Sequence, residues 1–386
     1  MKIIFLTHPS FLPSQSMPRY ASWLMEGMRK RGHEVEAWSA SPAVYKFAFA
    51  NALKKWAGYV DQYVLFPLQL KKKIAAGAPD TLYVFTDHAL GPWVPYASGQ
   101  KHLIHCHDFL AQMSALGQIA EQHTSYTGRV YQRYIRKGFR QGRNFISISE
   151  NTRHDLHRLL GKEPNISAVV YNGLTRSFEN TEDRQAVRAS LSTVLNAPLQ
   201  EGYLLHVGGN QWYKNRNGVV ELYNQWRAMS SKTFPLVLAG AAPSASLREK
   251  VQASPYVKDI LVLEKPSDQV ISRLYAGASL FVFPSLAEGF GWPVAEAMSA
   301  GALVLTTDLA PMNEVGGHAA YYLDRLQPGS LTEWGRTGAA KIESILATGE
   351  QEQAAKREAG FDNIKRFDGE KILDEMEIIY KKVLND

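Results

Sequence analysis

The chain has 386 residues, 45% apolar and 21% charged, a composition that excludes a disordered or collagen-like protein and a length that suits two ordinary domains. Its single cysteine, Cys106, excludes a disulfide framework and a zinc site built on several thiolates, and fits a reducing compartment. The net charge of +6 is uneven, with 22 Lys and Arg against 12 Asp and Glu in residues 1–180 and 21 against 25 in the remainder, but it lacks the dense basic stripes or reading motifs of a nucleic-acid partner.

The opening segment carries one lysine and a short apolar run that ends in His8-Pro9-Ser10 instead of a small-residue cleavage site, so it reads as a first strand and not as a secretory signal. No stretch approaches the roughly 18–20 uninterrupted apolar residues of a membrane span. Together these features predict a cytoplasmic protein. Strands are expected at residues 3–7, 34–39, 82–85, 102–105, 144–149 and 167–171, with helical spacing at 17–31 and 127–141 between them. The same alternation restarts at 203–207, 236–238, 260–263, 280–283, 302–306 and 320–323. The near-continuous apolar runs at 280–283 and 303–305 suit strands buried on both faces. The chain is therefore expected to be α/β, with two Rossmann-like, doubly wound domains in tandem. The boundaries predicted are 1–175 for the first domain, a polar linker over 176–200, and 201–360 for the second. An amphipathic C-terminal helix over 361–386, with Ile364, Ile372, Leu373, Met376 and Ile379 apolar, is expected to pack across the domain boundary.

Residues 45–73 stand apart because aromatics (Tyr45, Phe47, Phe49, Trp56, Tyr59, Tyr63, Phe66) interleave with Lys46, Lys54, Lys55 and Lys71 to Lys73. A basic, aromatic helix of this kind can lie on an anionic membrane surface. The other reading is a core-packing helix with solvated lysines.

The segment at 284–298 carries the clearest chemistry. It follows a buried strand, turns through Gly289 and Gly291, and enters a helix with Pro293 in its first turn, where proline is tolerated. Gly289 and Gly291 allow close approach of a ligand to the main chain, and the helix start favours a phosphate. Glu288 and Glu296 flank this turn. Their spacing recurs at Glu26 with Glu34 and at Glu350 with Glu358, so the glycine turn after a buried strand is the signal and the spacing is not. Carboxylates accept hydrogen bonds from paired hydroxyls, as on a ribose or hexose.

This segment resembles the paired-glutamate motif of the retaining glycosyltransferases of family 4, which have the GT-B fold. Other segments resemble that family in the same order: His105-Cys106-His107-Asp108 at a strand end, Ser147 to Thr152, Tyr171-Asn172-Gly173, Val207-Gly208-Gly209 through Lys214-Asn215, and Asn313-Glu314-Val315. The resemblance spans essentially the whole chain. It implies two Rossmann-like domains facing a cleft, the first on the acceptor side and the second binding a nucleotide-diphosphate sugar.

On that resemblance, Gly208, Gly209 and Lys214 form the donor-phosphate loop, and Glu288 contacts hydroxyls of the donor sugar. Glu296 contacts the ribose, and Gly289, Phe290, Gly291 and Trp292 offer backbone groups to sugar and diphosphate. The base lies against residues 263–266, including Lys265. His107 sits beneath the donor sugar from the opposite domain, with His105 on the same strand face as the alternative. His107, Lys214 and Glu288 are thus the catalytic candidates, and no nucleophile is assigned. Cys106 is expected in the core and Asp108 as a helix cap. Many family members carry an arginine before the phosphate-loop lysine, where this chain has Gly209 and Asn210; Arg216 or the amides of Gly208 and Gly209 are the substitutes to consider. The loop at 8–18 has Ser14-Gln15-Ser16-Met17 where paired glycines are common. No Asp-x-Asp pair occurs, and neither a metal nor another cofactor is expected.

The resemblance implies transfer of a hexosyl group from the nucleotide sugar; the basic N-terminal half points to a glycan or lipid-linked acceptor in cell-envelope polysaccharide synthesis, and the basic, aromatic segment 45–73, on its first reading, to peripheral association with an anionic membrane at its inner face. Two other readings use the same fold: a nucleotide-sugar epimerase, and a sugar-nucleotide-binding subunit with weakened catalysis.

Overall fold

A computed structural model describes residues 1–12, 16–174 and 183–385. The chain divides into two compact units: Met1–Thr175 with Gly369–Asp386, and Arg176–Asp368.

Among the described residues, unit 1 has a six-stranded parallel sheet: β1 (Lys2–Leu6), β2 (Glu34–Trp38), β3 (Thr81–Phe85), β4 (His102–Cys106), β5 (Asn144–Ser147) and β6 (Ile166–Val169), in the order β2-β1-β3-β4-β5-β6. Alternate residues of each strand point to opposite faces, and both faces are covered. Ile4, Leu6, Tyr83, Phe85, Ile104 and Phe145 pack on the side of the helices Phe66–Ala75, Tyr126–Phe139 and Glu150–Leu160. Ile3, Phe5, Leu82, Val84, Leu103 and Ile146 pack on the other, against Tyr20, Leu24 and Met28 of the helix Ser16–Lys30 and against Ile372, Leu373, Met376, Tyr380 and Val383. Cys106 is fully buried in the first of these cores.

Unit 2 repeats the plan with β7 (Leu204–Gly208), β8 (Leu236–Gly240), β9 (Ile260–Glu264), β10 (Leu280–Phe283), β11 (Val304–Thr307) and β12 (Tyr321–Leu323), in the order β12-β11-β10-β7-β8-β9. Its core joins Leu204, Leu236, Leu238, Leu280, Val282, Leu303 and Leu305 to Val219, Leu222 and Trp226 of the helix Arg216–Met229. Each expected strand is present, with ends displaced by a residue or two. Both units are doubly wound α/β, and both sheets are entirely parallel.

Two expected features differ. The polar stretch expected as a linker contains the helix Arg184–Leu195, capped by the Asp183 side chain and burying Val187 and Leu191. Arg184 and Arg188 also donate to the carbonyls of Ala278, Gly301 and Gly277, so this segment is part of unit 2. Residues 175–182 lie outside the described residues, as do Ser14 and Gln15 of the first loop. The single C-terminal helix expected over 361–386 is instead two helices, Glu350–Ile364 and Gly369–Asn385, separated by the turn Lys365–Phe367. Phe367 is fully buried and stops the first helix by anchoring the chain, while the second helix belongs to unit 1. Gly27 admits it closely, since a β-carbon there would collide with the Leu373 side chain. Among the described residues no helix is long and apolar enough to cross a membrane.

Candidate active site

Parallel α/β sheets bind ligands beyond the carboxyl ends of their strands, at the point where strand order reverses. In unit 2 that point lies between β7 and β10, which pair at Leu280 with Leu204 and at Phe281 with Leu205. The loop after β7 leads through Gly208 and Gly209 to Lys214; the loop after β10 leads through Pro284 to Glu288. The two loops are tied together. Leu286 N donates to Tyr213 O at 2.7 Å, and Asn215 Nδ2 donates to Pro284 O at 3.0 Å. Asn215 adopts a left-handed conformation, φ 52°, that ends the turn Trp212–Lys214 and starts the helix Arg216–Met229. Lys214 Nζ thereby reaches Glu288 Oε1 at 2.8 Å and lies 4.9 Å from the Phe283 ring centroid. Both side chains are largely buried, 14% and 8% exposed. An ammonium has three donors, so one bond to Glu288 leaves two for an anion, and Glu288 keeps Oε2 for another partner.

The glutamate loop continues into the helix Trp292–Ser299. Gly291 precedes it at φ 99°, a conformation that admits few residues other than glycine, and Pro293 stands in its first turn. Phe290 is buried and packs edge-on against Trp292 and Phe367, so its ring serves packing. Trp292 is half-buried. Glu296, one turn further, accepts a hydrogen bond from Tyr275 Oη at 3.2 Å through Oε2. Gly289, Gly291, Trp292 and Glu296 are thus brought onto one loop and helix start, beside the Lys214 and Glu288 pair.

Lys265 stands further off, exposed at the end of β9, the edge strand. Its positive φ of 47° turns its N–H onto Gly240 O. Arg216 is buried and donates to Asn210 Oδ1 and Ala241 O, which makes it a brace between the loops after β7 and β8. Gly208 lies over His206, a residue that sequence reasoning missed: a β-carbon at Gly208 would be 3.0 Å from His206 Nε2. Burial pushes the His206 pKa down to about 3, so the imidazole is neutral, with Nδ1 bonded to Val282 O. A recess of about 600 Å³ elsewhere in unit 2, lined by Tyr322, Arg325, Trp334 and Lys341, contains none of these residues.

In unit 1 the reversal lies between β1 and β3. His105 is fully buried, and its two ring nitrogens bond the hydroxyls of Tyr20 (2.9 Å) and Tyr380 (2.8 Å). Burial holds its pKa down to about 3. It is a neutral cross-link between helices and has no nitrogen left for a ligand. His107, two residues on, donates Nε2–H to Thr86 O at 2.8 Å, with the Tyr20 ring edge-on at 4.5 Å. Burial lowers its pKa too, so it is neutral with the proton on Nε2. Asp108 accepts from Leu110 N in a local turn just before the helix Leu110–Ala115, but the cap position is Phe109, without a side-chain cap, so Asp108 is not the cap expected of it.

A second feature at this reversal was not read from the sequence. Asp87, just beyond β3, binds His8 Nε2 at 2.9 Å through Oδ2 and lies 3.0 Å from His88 Nδ1 through Oδ1. Burial opposes ionisation of Asp87, but His88 and His8 outweigh it and hold the carboxyl well below its ordinary value. His8 and Asp87 each stand two residues past a strand end, and that position was the signal the sequence offered. Among the described residues no three His, Cys, Asp or Glu side chains converge as metal ligands would.

Two family profiles match the chain: one described as Glycosyltransferase Family 4 over residues 17–178, the other as Glycosyl transferases group 1 over residues 201–333. O-antigen chain mannosyltransferase B of Escherichia coli is 32% identical over 126 residues, which is 32% of this chain and 33% of that one. O-antigen chain mannosyltransferase RfbU of Salmonella typhimurium is 22% identical over 247 residues, 64% of each chain. The chain therefore spans from a third to just under two thirds of these relatives. Among solved structures, Anabaena HepE in complex with UDP and glucose superposes with a TM-score of 0.71 over 99% of this chain and 100% of that one, at 16% identity, a likeness of fold.

Proposed function

Since the chain belongs to the family 4 glycosyltransferases, with the GT-B fold, we propose that it moves a hexosyl group from a nucleotide-diphosphate sugar to a glycan or lipid-linked acceptor, with retention at the anomeric carbon. Mannose is the hexose to test first, because the curated relatives are O-antigen mannosyltransferases. Synthesis of a cell-envelope polysaccharide, on the cytoplasmic side of the membrane, is the setting this implies. The observation that carries the reading is the Lys214 and Glu288 ion pair at the strand reversal of unit 2.

The transfer breaks the bond between the anomeric carbon and the β-phosphate oxygen and forms one to the acceptor oxygen. The acceptor's proton leaves to a base, which in a front-face reaction is the departing phosphate. Charge grows on the diphosphate as the bond breaks. The ammonium of Lys214 and the backbone of Gly291 and Trp292 at a helix start suit that charge. Glu288, held by Lys214, would orient sugar hydroxyls, so one ion pair links the sugar to its leaving group. Glu296 would hold the ribose. Lys265 and its neighbours would approach the base through the backbone. His107, a neutral acceptor at Nδ1, would meet the sugar from unit 1, and the chemistry as drawn needs no metal.

A thermal-shift screen against UDP, GDP and ADP, followed by transfer assays with mannose activated by each, tests the proposal. A stabilising nucleotide and an acceptor-dependent product with retained anomeric configuration are expected. Conversion of the donor without acceptor would indicate an epimerase. Donor binding with neither transfer nor donor hydrolysis would indicate a binding subunit.

A further inference from the structure

The recess of about 600 Å³ in unit 2 opens beyond the carboxyl ends of β11 and β12, a size within the range of about 300–1,000 Å³ common to small-molecule sites. Three stretches of chain line it: Asp308, just past β11; the turn from Asp324 to Gln327, just past β12; and one side of the helix Leu331–Leu346. On that helix Glu333, Thr337, Lys341 and Ser344 follow one another at steps of four, four and three residues, so they form a single polar stripe along the recess. Ile342 and Ile345 of the same helix pack in the core. The walls are braced by the chain itself. Trp334 Nε1 donates to Asp324 O at 2.8 Å, joining helix to turn, and Ser330 Oγ donates to Gln327 O at 2.9 Å where the two meet.

The lining selects a chemistry. Asp308, Asp324 and Glu333 bring three negative charges, and Arg325 and Lys341 two positive ones, a balance that does not favour a phosphate or any other anion. Among the described residues no three His, Cys, Asp or Glu side chains converge as metal ligands would, and so many charges exclude an apolar ligand. Asp324, Glu333 and Lys341 are exposed, and none of these side chains has an ion pair or hydrogen bond with a described residue. Two acceptors and one donor are thus open to the hydroxyls of a neutral polyol. The recess adds two rings. The Tyr322 hydroxyl is committed to Gly317 O and the Trp334 indole N–H to Asp324 O, so each has its ring left to offer, which suits the C–H face of a pyranose.

The recess is also tied to the loop that carries Glu288. Arg325 Nε donates to Leu286 O at 3.0 Å, and Thr307, the residue before Asp308, donates its hydroxyl to Ser285 O at 2.7 Å.

We propose that this recess is a saccharide site of unit 2, separate from the donor site, which holds a sugar residue of the acceptor glycan through Asp324, Glu333, Lys341 and the Tyr322 ring. The recess is argued from unit 2 alone; that its sugar belongs to an acceptor rests on the function proposed above. A glycan held here as well as at its reacting end is bound at two linked points, so its second contact forms at high effective concentration. Long acceptors are therefore captured better than short ones.

Titration calorimetry of the full chain with a linear mannose oligosaccharide, chosen because the curated relatives are O-antigen mannosyltransferases, tests this. Two variants accompany it: Asp324→Ala with Glu333→Ala, and Lys341→Ala. The unaltered chain should bind the oligosaccharide at millimolar concentration or below, whether or not nucleoside diphosphate is present. Each variant removes a charged hydrogen-bond partner and should bind about tenfold more weakly or worse. Melting and nucleotide-induced stabilisation should stay unchanged and show that the variants fold. In transfer assays the variants should raise KM for the oligosaccharide acceptor and leave KM for a single mannoside where it was. Absence of binding by the unaltered chain, equal binding by both variants, or displacement of the oligosaccharide by nucleoside diphosphate would overturn the proposal. Acceptor-dependent transfer that neither variant alters would remove the recess and leave the glycosyltransferase reading standing. Oligosaccharide binding that the variants lose, in a chain that neither binds nucleotide nor transfers, would do the reverse.

Discussion

Removing Lys214 should damage stability and donor binding for separable reasons. Lys214→Ala leaves the Glu288 carboxylate, 8% exposed, without the ammonium that lies 2.8 Å away. Breaking a buried pair from one side costs about 3–5 kcal/mol, and the residual exposure of Lys214 argues for about 3. For a unit of the size of Arg176–Asp368, each kcal/mol moves the midpoint by about 2–4 °C, so melting of that unit should fall by about 6–12 °C. If the two remaining ammonium donors hold the diphosphate, the same change removes a charged hydrogen bond worth about 1.5–3 kcal/mol, a loss of about 10- to 150-fold in affinity. The double variant Lys214→Met with Glu288→Gln removes both charges, so it should recover most of the melting temperature and none of the affinity. Scanning calorimetry beside titration calorimetry with nucleoside diphosphates separates the two effects. Nucleotide binding by the double variant as tight as that of the unaltered chain would refute the phosphate role. Unchanged melting of Lys214→Ala would refute the ion pair.

Glu296→Ala should weaken nucleoside-diphosphate affinity by about 1.5–3 kcal/mol; unchanged affinity in the folded variant would remove the ribose role. His107→Ala should lower single-turnover transfer while leaving bare-nucleotide affinity nearly intact, because His107 belongs to unit 1 and the diphosphate residues to unit 2. Full transfer by this variant, or lost nucleotide binding, would contradict that division. His105 and His206 are held neutral, with pKa values pushed down to about 3, below the unfolded value of about 6.5. The unfolded chain therefore binds protons that the folded chain refuses, so the stabilisation is complete above about pH 6.5 and is lost as pH falls toward 3. The slope is about 1.4 kcal/mol per pH unit for each group. Urea unfolding at pH 7 and pH 5 should show the loss, about 2 kcal/mol per histidine, before the Asp87 carboxylate begins to titrate; equal stability at both pH values would show that neither imidazole is held neutral.

The strands were legible because strands of a parallel sheet covered on both faces are nearly continuous apolar runs, as in Leu280–Phe283. Strand order was not legible, because apolar runs carry no record of which neighbour they pair with. The strand reversals that gather the site were hidden with it. Lys214 and Glu288 are 74 positions apart, and nothing local marks them as partners; only motif resemblance put both in one site. The choice between His105 and His107 was also open, since both lie on one strand face. The hydroxyls of Tyr20 and Tyr380 occupy His105, and Tyr380 comes from a helix 275 residues away. The helix Arg184–Leu195 escaped because only one side of it is apolar and the rest is polar enough to resemble a linker. The break before Gly369 was hidden because Ile364 and the apolar residues from Ile372 onward suggest one amphipathic run, although Phe367 between them falls on the opposite face.

The helix Gly369–Asn385 also gives the molecule a history. It lays Ile372, Leu373, Met376, Tyr380 and Val383 against one face of the first sheet, beside Tyr20, Leu24 and Met28. On the ribosome, that face is made first and covered last, after the whole of Arg176–Asp368 has been synthesised. At about 5–20 residues per second the delay is roughly 10–40 s. For that time the nascent first unit presents an open apolar trough and an unbridged His105, a form on which chaperones can act, while the second unit has all of its own strands and can complete its fold ahead of the one that precedes it.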